Sequence, residues 1–269
     1  MLRLRIATAA VLAVIVLGVL FGLPPLAGVL LIAVAMLIGA WEWAAFAGWQ
    51  GTGARLAYLL VTAALGALAW NLTGDPGGWR ALMVAAALWW CVAFGWLAWR
   101  PLAVGPLRAA LAGICALVPA WIGYGRLLLV EQPLRGVAYV FYLMLIIWAA
   151  DIGAYFAGRA FGRLKLAPDV SPNKTWEGLL GGLVGGLALA IGGAHVLNLP
   201  PLAAGMLGLA VVIASVVGDL TESMFKRHAG LKDSGTLLPG HGGVLDRIDS
   251  LTSGVPFFVL GLGWLGVLK

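Results

Sequence analysis

Apolar stretches long enough to cross about 30 Å of hydrocarbon follow one another along this chain almost without pause. Such a polypeptide folds in lipid, where each crossing segment must satisfy its own backbone hydrogen bonds and does so as a helix. Nine spans are predicted, near residues 6–22, 25–46, 55–71, 79–98, 106–129, 135–157, 177–197, 201–222 and 246–267. Pro24-Pro25 reads as a tight turn between the first two. Only 10% of the residues are charged, against roughly 25% in a soluble domain, which agrees with a membrane solvent. The expected fold class is all-α, a polytopic integral membrane protein with about nine transmembrane helices. Residues 1–134 would form five amino-terminal spans and residues 135–269 a second region of four, with polar loops at 158–176 and 223–245.

Cations set the orientation, because cytoplasmic loops retain Lys and Arg. Of the 17, Arg80, Arg126, Arg135 and Lys269 fall on one side and the other 13, from Arg3 and Arg5 to Arg247, on the side of the amino terminus. The amino terminus and both polar loops are therefore expected in the cytoplasm, the protein being multi-pass in the inner membrane. The net charge of +6 is spread along one membrane face. That pattern serves topology and anionic lipid contact, so no nucleic-acid partner is expected. The first span resembles a signal peptide but lacks a small-residue cleavage site before Pro24, and is expected to be retained as a helix.

Packing signals are few. Gly178, Gly182 and Gly186 leave one face of the seventh span almost without side chains, so another helix can approach closely. That neighbour could come from the same chain or from a homodimer partner. Trp41, Trp43, Trp49, Trp70, Trp79, Trp99 and Trp176 lie near span ends, as interfacial belts do. Cys91 and Cys115 have no metal-site spacing and read as small packing residues.

Charge inside such a chain needs a reason. Of only 11 acids, Asp219, Glu222, Asp233, Asp246 and Asp249 lie in the last quarter. Asp219 and Glu222 approach the end of span eight, while Asp246 and Asp249 open span nine three residues apart, a spacing that puts them on one helix face. Their carboxylates are expected to converge, and clustered carboxylates beside a bilayer need an offsetting positive charge. Salt bridges to Lys226, Arg227, Lys232 and Arg247 could supply it, or a hard divalent cation could. An oxygen-only donor set without a His/Cys cluster suits Mg²⁺. The same cations surrounding the acids favour a phosphate substrate. Gly240, Gly242 and Gly243 flank His241, which could hydrogen-bond a phosphate, shuttle a proton or hold the loop.

A second polar segment, 150–178, joins spans six and seven on the same side. Ser171-Pro172 reads as an N-cap and first helical position, which would set Lys174 and Thr175 where free backbone N–H groups attract an anion such as a triphosphate. Asp151, one turn from Tyr155, could extend the site or pair with Arg159.

The ordered run Ser223, Lys226-Arg227, Lys232-Asp233, Gly235, Leu238-Pro239, His241-Gly242-Gly243, Asp246-Arg247 and Asp249 resembles the signature of the phosphatidate cytidylyltransferases, or CDP-diglyceride synthases. The segments DIGAYFAGR and SPNKTWEG resemble that family's second conserved region; the likeness covers residues 145–255. It implies Mg²⁺-dependent condensation of CTP with phosphatidic acid, giving CDP-diacylglycerol and pyrophosphate. By matching position, Asp219, Asp246 and Asp249 would hold one metal ion, or two. Lys226, Arg227, Lys232 and Arg247 would take the lipid phosphate and pyrophosphate, and Ser171, Lys174 and Thr175 the CTP phosphates. His241 joins the catalytic set. Two other readings stay open on the residues alone: an ion- or proton-coupled transporter using Glu42, Asp151 and Asp219, and a transferase acting on an isoprenoid or ether lipid.

Overall fold

A computed structural model describes residues 2–99 and 104–268. Arg100, Lys269 and the side chain of Arg3, which enter the charge comparison above, lie outside the described residues. Among the described residues nine α-helices follow in order: α1 (Leu2–Gly22), α2 (Pro25–Trp43), α3 (Thr52–Leu72), α4 (Pro76–Trp99), α5 (Pro106–Leu128), α6 (Pro133–Phe161), α7 (Trp176–Gly193), α8 (Pro201–His228) and α9 (Leu245–Trp264). Five of them open on proline, whose missing N–H costs nothing in a first turn and whose φ is already helical. Eight are long and apolar enough to cross a membrane. The exception is α9, whose first turns carry Asp246, Arg247 and Asp249 and whose middle, from Thr252 to Val259, is largely buried among other helices.

Successive helices reverse direction, so the start of α1, the end of α2 and both polar segments meet at one end. Thr8 on α1 donates to the Pro239 carbonyl there at 2.9 Å. The mostly buried α5 packs against α2, α3, α4, α6 and α9. Gly113 on α5 lacks the side chain that would collide with Trp43 and Tyr58. Those two residues consequently reach the carbonyls of Ala109 and Ala110, at 2.8 and 2.7 Å.

Three sequence expectations change here. Between α6 and α7 the chain forms an antiparallel ribbon of β1 (Lys165–Ala167) and β2 (Ser171–Thr175), which an all-helical reading does not contain. The helices also run past their apolar stretches, α6 to Phe161 and α8 to His228, so Ser223, Lys226 and Arg227 are helical rather than loop residues. Finally, Trp43 and Trp79 are buried in the protein core, whereas Trp99 and Trp176 are exposed as an interfacial belt requires.

The glycine face of α7 packs within the chain. A Cβ at Gly182 would stand 3.0 Å from the Ala150 carbonyl of α6, and one at Gly178 3.1 Å from that of Ala154. With α6 this close, that face is not available to a second copy.

Candidate active site

Close packing of α8 on α9 brings the acids together. A Cβ at Gly218 would lie 2.8 Å from the Asp249 carbonyl oxygen, so only glycine lets the two backbones meet beside Asp219. Asp151 arrives from α6, which the α7 glycines hold against the same group. Asp151, Asp219, Asp246 and Asp249 then line one cavity of about 460 Å³, together with Lys226, Asp233 and Arg247. Their convergence agrees with the spacing argument; the contribution of Asp151 from a third helix is legible only in the fold.

Lys226 is the hub. Its Nζ lies 2.8 Å from Glu222 Oε2, one turn back on α8, and 2.7 Å from Asp246 Oδ1. The other Asp246 oxygen accepts from the backbone N–H of Ser234 and Gly243 and from the Ser234 hydroxyl, at 2.9, 2.8 and 3.0 Å. Gly242, at φ +84°, allows that turn to close over Asp246. Asp249 is half-buried at the cavity wall and accepts from its neighbour Ser250 N–H at 2.6 Å. Glu222 Oε1 is buried with no donor. Asp219 pairs with Lys174 Nζ at 2.6 Å.

Two further cavities adjoin this one. On one side lies a space of about 750 Å³ that shares Asp151, Asp219 and Ser250 and is otherwise lined by α6, α7, α8 and the hairpin, the last contributing Ser171, Asn173, Lys174 and Thr175. On the other lies a space of about 610 Å³ that shares Asp233 and Arg247 and adds Lys232, His241 and Arg5. The result is a trough with cations at both ends and carboxylates in the middle. Arg5, counted above only toward topology, reaches it because α1 docks on the 238–242 turn.

The hairpin corrects the local reading of residues 171–175. Ser171-Pro172 does not start a helix: Ser171 pairs with Ala167 across the ribbon, and Thr175 is the N-cap of α7, its Oγ1 accepting from Gly178 N–H at 3.1 Å. Strand geometry instead carries Lys174 across to Asp219. Arg159 donates to the Tyr155 hydroxyl at 2.7 Å, which leaves Asp151 to the acid cluster.

Arg227 is not brought into the trough. Its Nε donates to the Val170 carbonyl at 3.3 Å, which ties the hairpin to α8. His241 lines the third cavity with Nδ1 buried and unpartnered, while its carbonyl accepts from Arg247 Nη2 at 2.7 Å.

Could these acids hold a metal ion? Among the described residues no three carboxylate, imidazole or thiolate side chains stand ready-made as a coordination set. The donors are nevertheless oxygen only, and Asp151 and Asp249 have no salt-bridge partner among the described residues, while Lys226 and Lys174 serve Glu222, Asp246 and Asp219. That surplus negative charge fits a hard divalent cation that takes one or two carboxylates and completes its shell with phosphate oxygens and water.

The sequence as a whole supports the same chemistry. A model of the cytidylyltransferase family matches residues 3–264. The chain belongs to this family. Among its relatives, the phosphatidate cytidylyltransferase of Pseudomonas aeruginosa is 45% identical over 274 residues, covering 98% of this chain and 99% of that protein. The phosphatidate cytidylyltransferase of Haemophilus influenzae is 40% identical over 283 residues, covering 96% and 97%. That of Staphylococcus saprophyticus is 37% identical over 200 residues, covering 73% and 76%. As a cytidylyltransferase the chain is an enzyme, and transport along Glu42, Asp151 and Asp219 is set aside.

Proposed function

We propose that this enzyme transfers the cytidylyl group of CTP to phosphatidic acid, releasing pyrophosphate and forming CDP-diacylglycerol for phospholipid synthesis. The carrying observation is the trough, in which two cationic compartments each adjoin a cavity lined by carboxylates, in a chain whose relatives bear the name of this activity. The charge asymmetry supports a multi-pass protein of the inner membrane with this end in the cytoplasm.

An oxygen of the lipid phosphate attacks the α-phosphorus of CTP, and the bond from that phosphorus to the bridging oxygen of the β-phosphate breaks. An ionised phosphate monoester is already nucleophilic, so positioning and charge neutralisation carry the rate. Lys174 and Ser171 hold the nucleotide phosphates in the hairpin compartment, with Thr175 fixing the start of α7 behind them. Lys232, Arg247 and His241 hold the lipid phosphate in the other, beside the lipid-exposed α1. Asp249 and Asp151, which have no cation among the described residues, are the residues that would hold Mg²⁺, with Asp219 joining them when Lys174 turns to the nucleotide; Asp246, expected among the ligands, is already neutralised by Lys226. Bound there, the metal would neutralise charge on the reacting phosphates. Lys226 keeps Asp246 and Glu222 neutralised.

Detergent-purified protein incubated with CTP, phosphatidic acid and Mg²⁺ is expected to release pyrophosphate and form the CDP-lipid in equal amounts. Product from an isoprenoid or ether-lipid phosphate but none from phosphatidic acid would replace this substrate assignment. For Lys174→Ala the expected result is a KM for CTP raised about tenfold with kcat nearly unchanged, because its ammonium binds phosphate equally before and during transfer. An unchanged KM would return the Lys174–Asp219 pair to a structural role.

A further inference from the structure

Glu42 sits in the last turn of α2, outside the sequence signature, and is 4% exposed. A carboxylate at a helix C-terminus faces the negative end of its own helix dipole, and burying it needs donors from elsewhere. Those donors come from the signature loop. Glu42 Oε1 accepts from Val244 N–H at 3.1 Å, and Oε2 accepts from Leu245 N–H at 2.8 Å. The start of α9 has no side-chain cap of its own, so the α2 carboxylate supplies it.

A second set of contacts links Glu42 to the acid cluster. Ser234 Oγ stands 3.0 Å from Glu42 Oε2 and 3.0 Å from Asp246 Oδ2, bridging the two carboxyls. The loop glycines are shaped around the same group. The three atoms nearest a Cβ at Gly235 would all belong to Glu42, with Cδ at 2.9 Å and Cγ at 3.2 Å, and a Cβ at Gly243 would meet the Ser234 hydroxyl and lie 2.6 Å from Glu42 Oε1. Neither glycine has a positive φ, so close approach of Glu42 is what excludes a side chain at Gly235, and Glu42 together with the Ser234 hydroxyl excludes one at Gly243.

We infer that Glu42 is a positioning residue for cytidylyl transfer, fixing the 234–245 loop and the first turn of α9 so that Asp246 meets Lys226 in the trough. The kinetic part of this inference rests on the transfer reaction proposed above; the contact part does not. It also gives α2, in the amino-terminal half, a function beyond enclosing lipid.

Glu42→Gln keeps size but must turn its amide nitrogen toward either Val244 N–H or Leu245 N–H, so one donor loses its acceptor. The expected result is a kcat about tenfold lower per folded molecule, with the KM for CTP within about twofold, since Asp246 and Lys226 lie apart from the hairpin that takes the nucleotide. A carboxylate that merely stabilised the fold would reduce the yield of folded protein and leave kcat per folded molecule unchanged, and that outcome would overturn the inference. Gly235→Ala, Glu42→Ala and their double variant give an independent reading by thermal unfolding. Gly235→Ala is expected to lower the melting temperature in the wild-type background and to have almost no further effect once Glu42 is alanine. Additive shifts would show that Glu42 does not occupy the loop, whether or not any variant transfers cytidylyl groups.

Discussion

Asp246→Asn is expected to abolish CTP-dependent turnover, by about a thousandfold or more, while leaving folded protein in the membrane. The four donors around Asp246 decide this. An asparagine oxygen placed at Oδ2 keeps the Ser234 and Gly243 contacts, but the amide nitrogen then faces the Lys226 ammonium, donor against donor. The flipped rotamer keeps Lys226 and opposes the two backbone N–H groups instead. Either way a charged contact is lost beside the reacting phosphates, and the melting temperature falls by a few degrees. Asp249→Asn provides the contrast. Its carboxyl is half-buried and has no salt-bridge partner among the described residues, so neutralising it removes a charge that no lysine or arginine offsets, and stability is expected to hold or rise while turnover is again lost. Pyrophosphate release and thermal unfolding of both variants check the pair. Near-normal turnover in either would remove that carboxylate from the transfer step.

The helices were readable because a bilayer admits few alternatives: long apolar runs, prolines at their starts and a turn at Pro24 fix nine elements with little ambiguity. Their ends were less so, since α6 and α8 continue for several polar residues, where the apolar pattern stops but backbone hydrogen bonding does not. The Asp219, Asp246 and Asp249 cluster followed from periodicity and from the scarcity of acids. Asp151 joins it through the α6–α7 glycine packing, a tertiary fact that spacing cannot express. Ser171-Pro172 carried a helix-start signal, but Thr175 caps α7 instead, because residues 171–175 gain strand partners in 165–167 that no local rule counts. Arg227, a cation next to Lys226 in sequence, points one helical step away from it and ties down the hairpin. Adjacent positions on a helix do not share a face. Glu42 and Arg5 had no local signal of their role, since each reaches the trough from a helix remote in sequence.

Lys226→Met is the second large effect, and it separates neutralisation from catalysis. The ammonium holds Glu222 and Asp246 at 2.8 and 2.7 Å, with side-chain exposures of only 1% and 6% for the two acids. Removing it leaves two buried carboxylates with no cation, which is expected to cost about 3–5 kcal/mol and to lower the melting temperature by about 10 °C, with turnover lost. Adding Glu222→Gln removes one of the orphaned charges, so Lys226→Met/Glu222→Gln is expected to regain most of the lost stability. Activity is not expected to return, because Asp246 still lacks the cation that neutralises it at the centre of the trough. Recovery of turnover together with stability would mean that Lys226 serves only to offset Glu222. In that case the pairing with Asp246 would be a consequence of packing α8 on α9, and the work of charge neutralisation at the reacting phosphates would fall to Arg247 and Lys174.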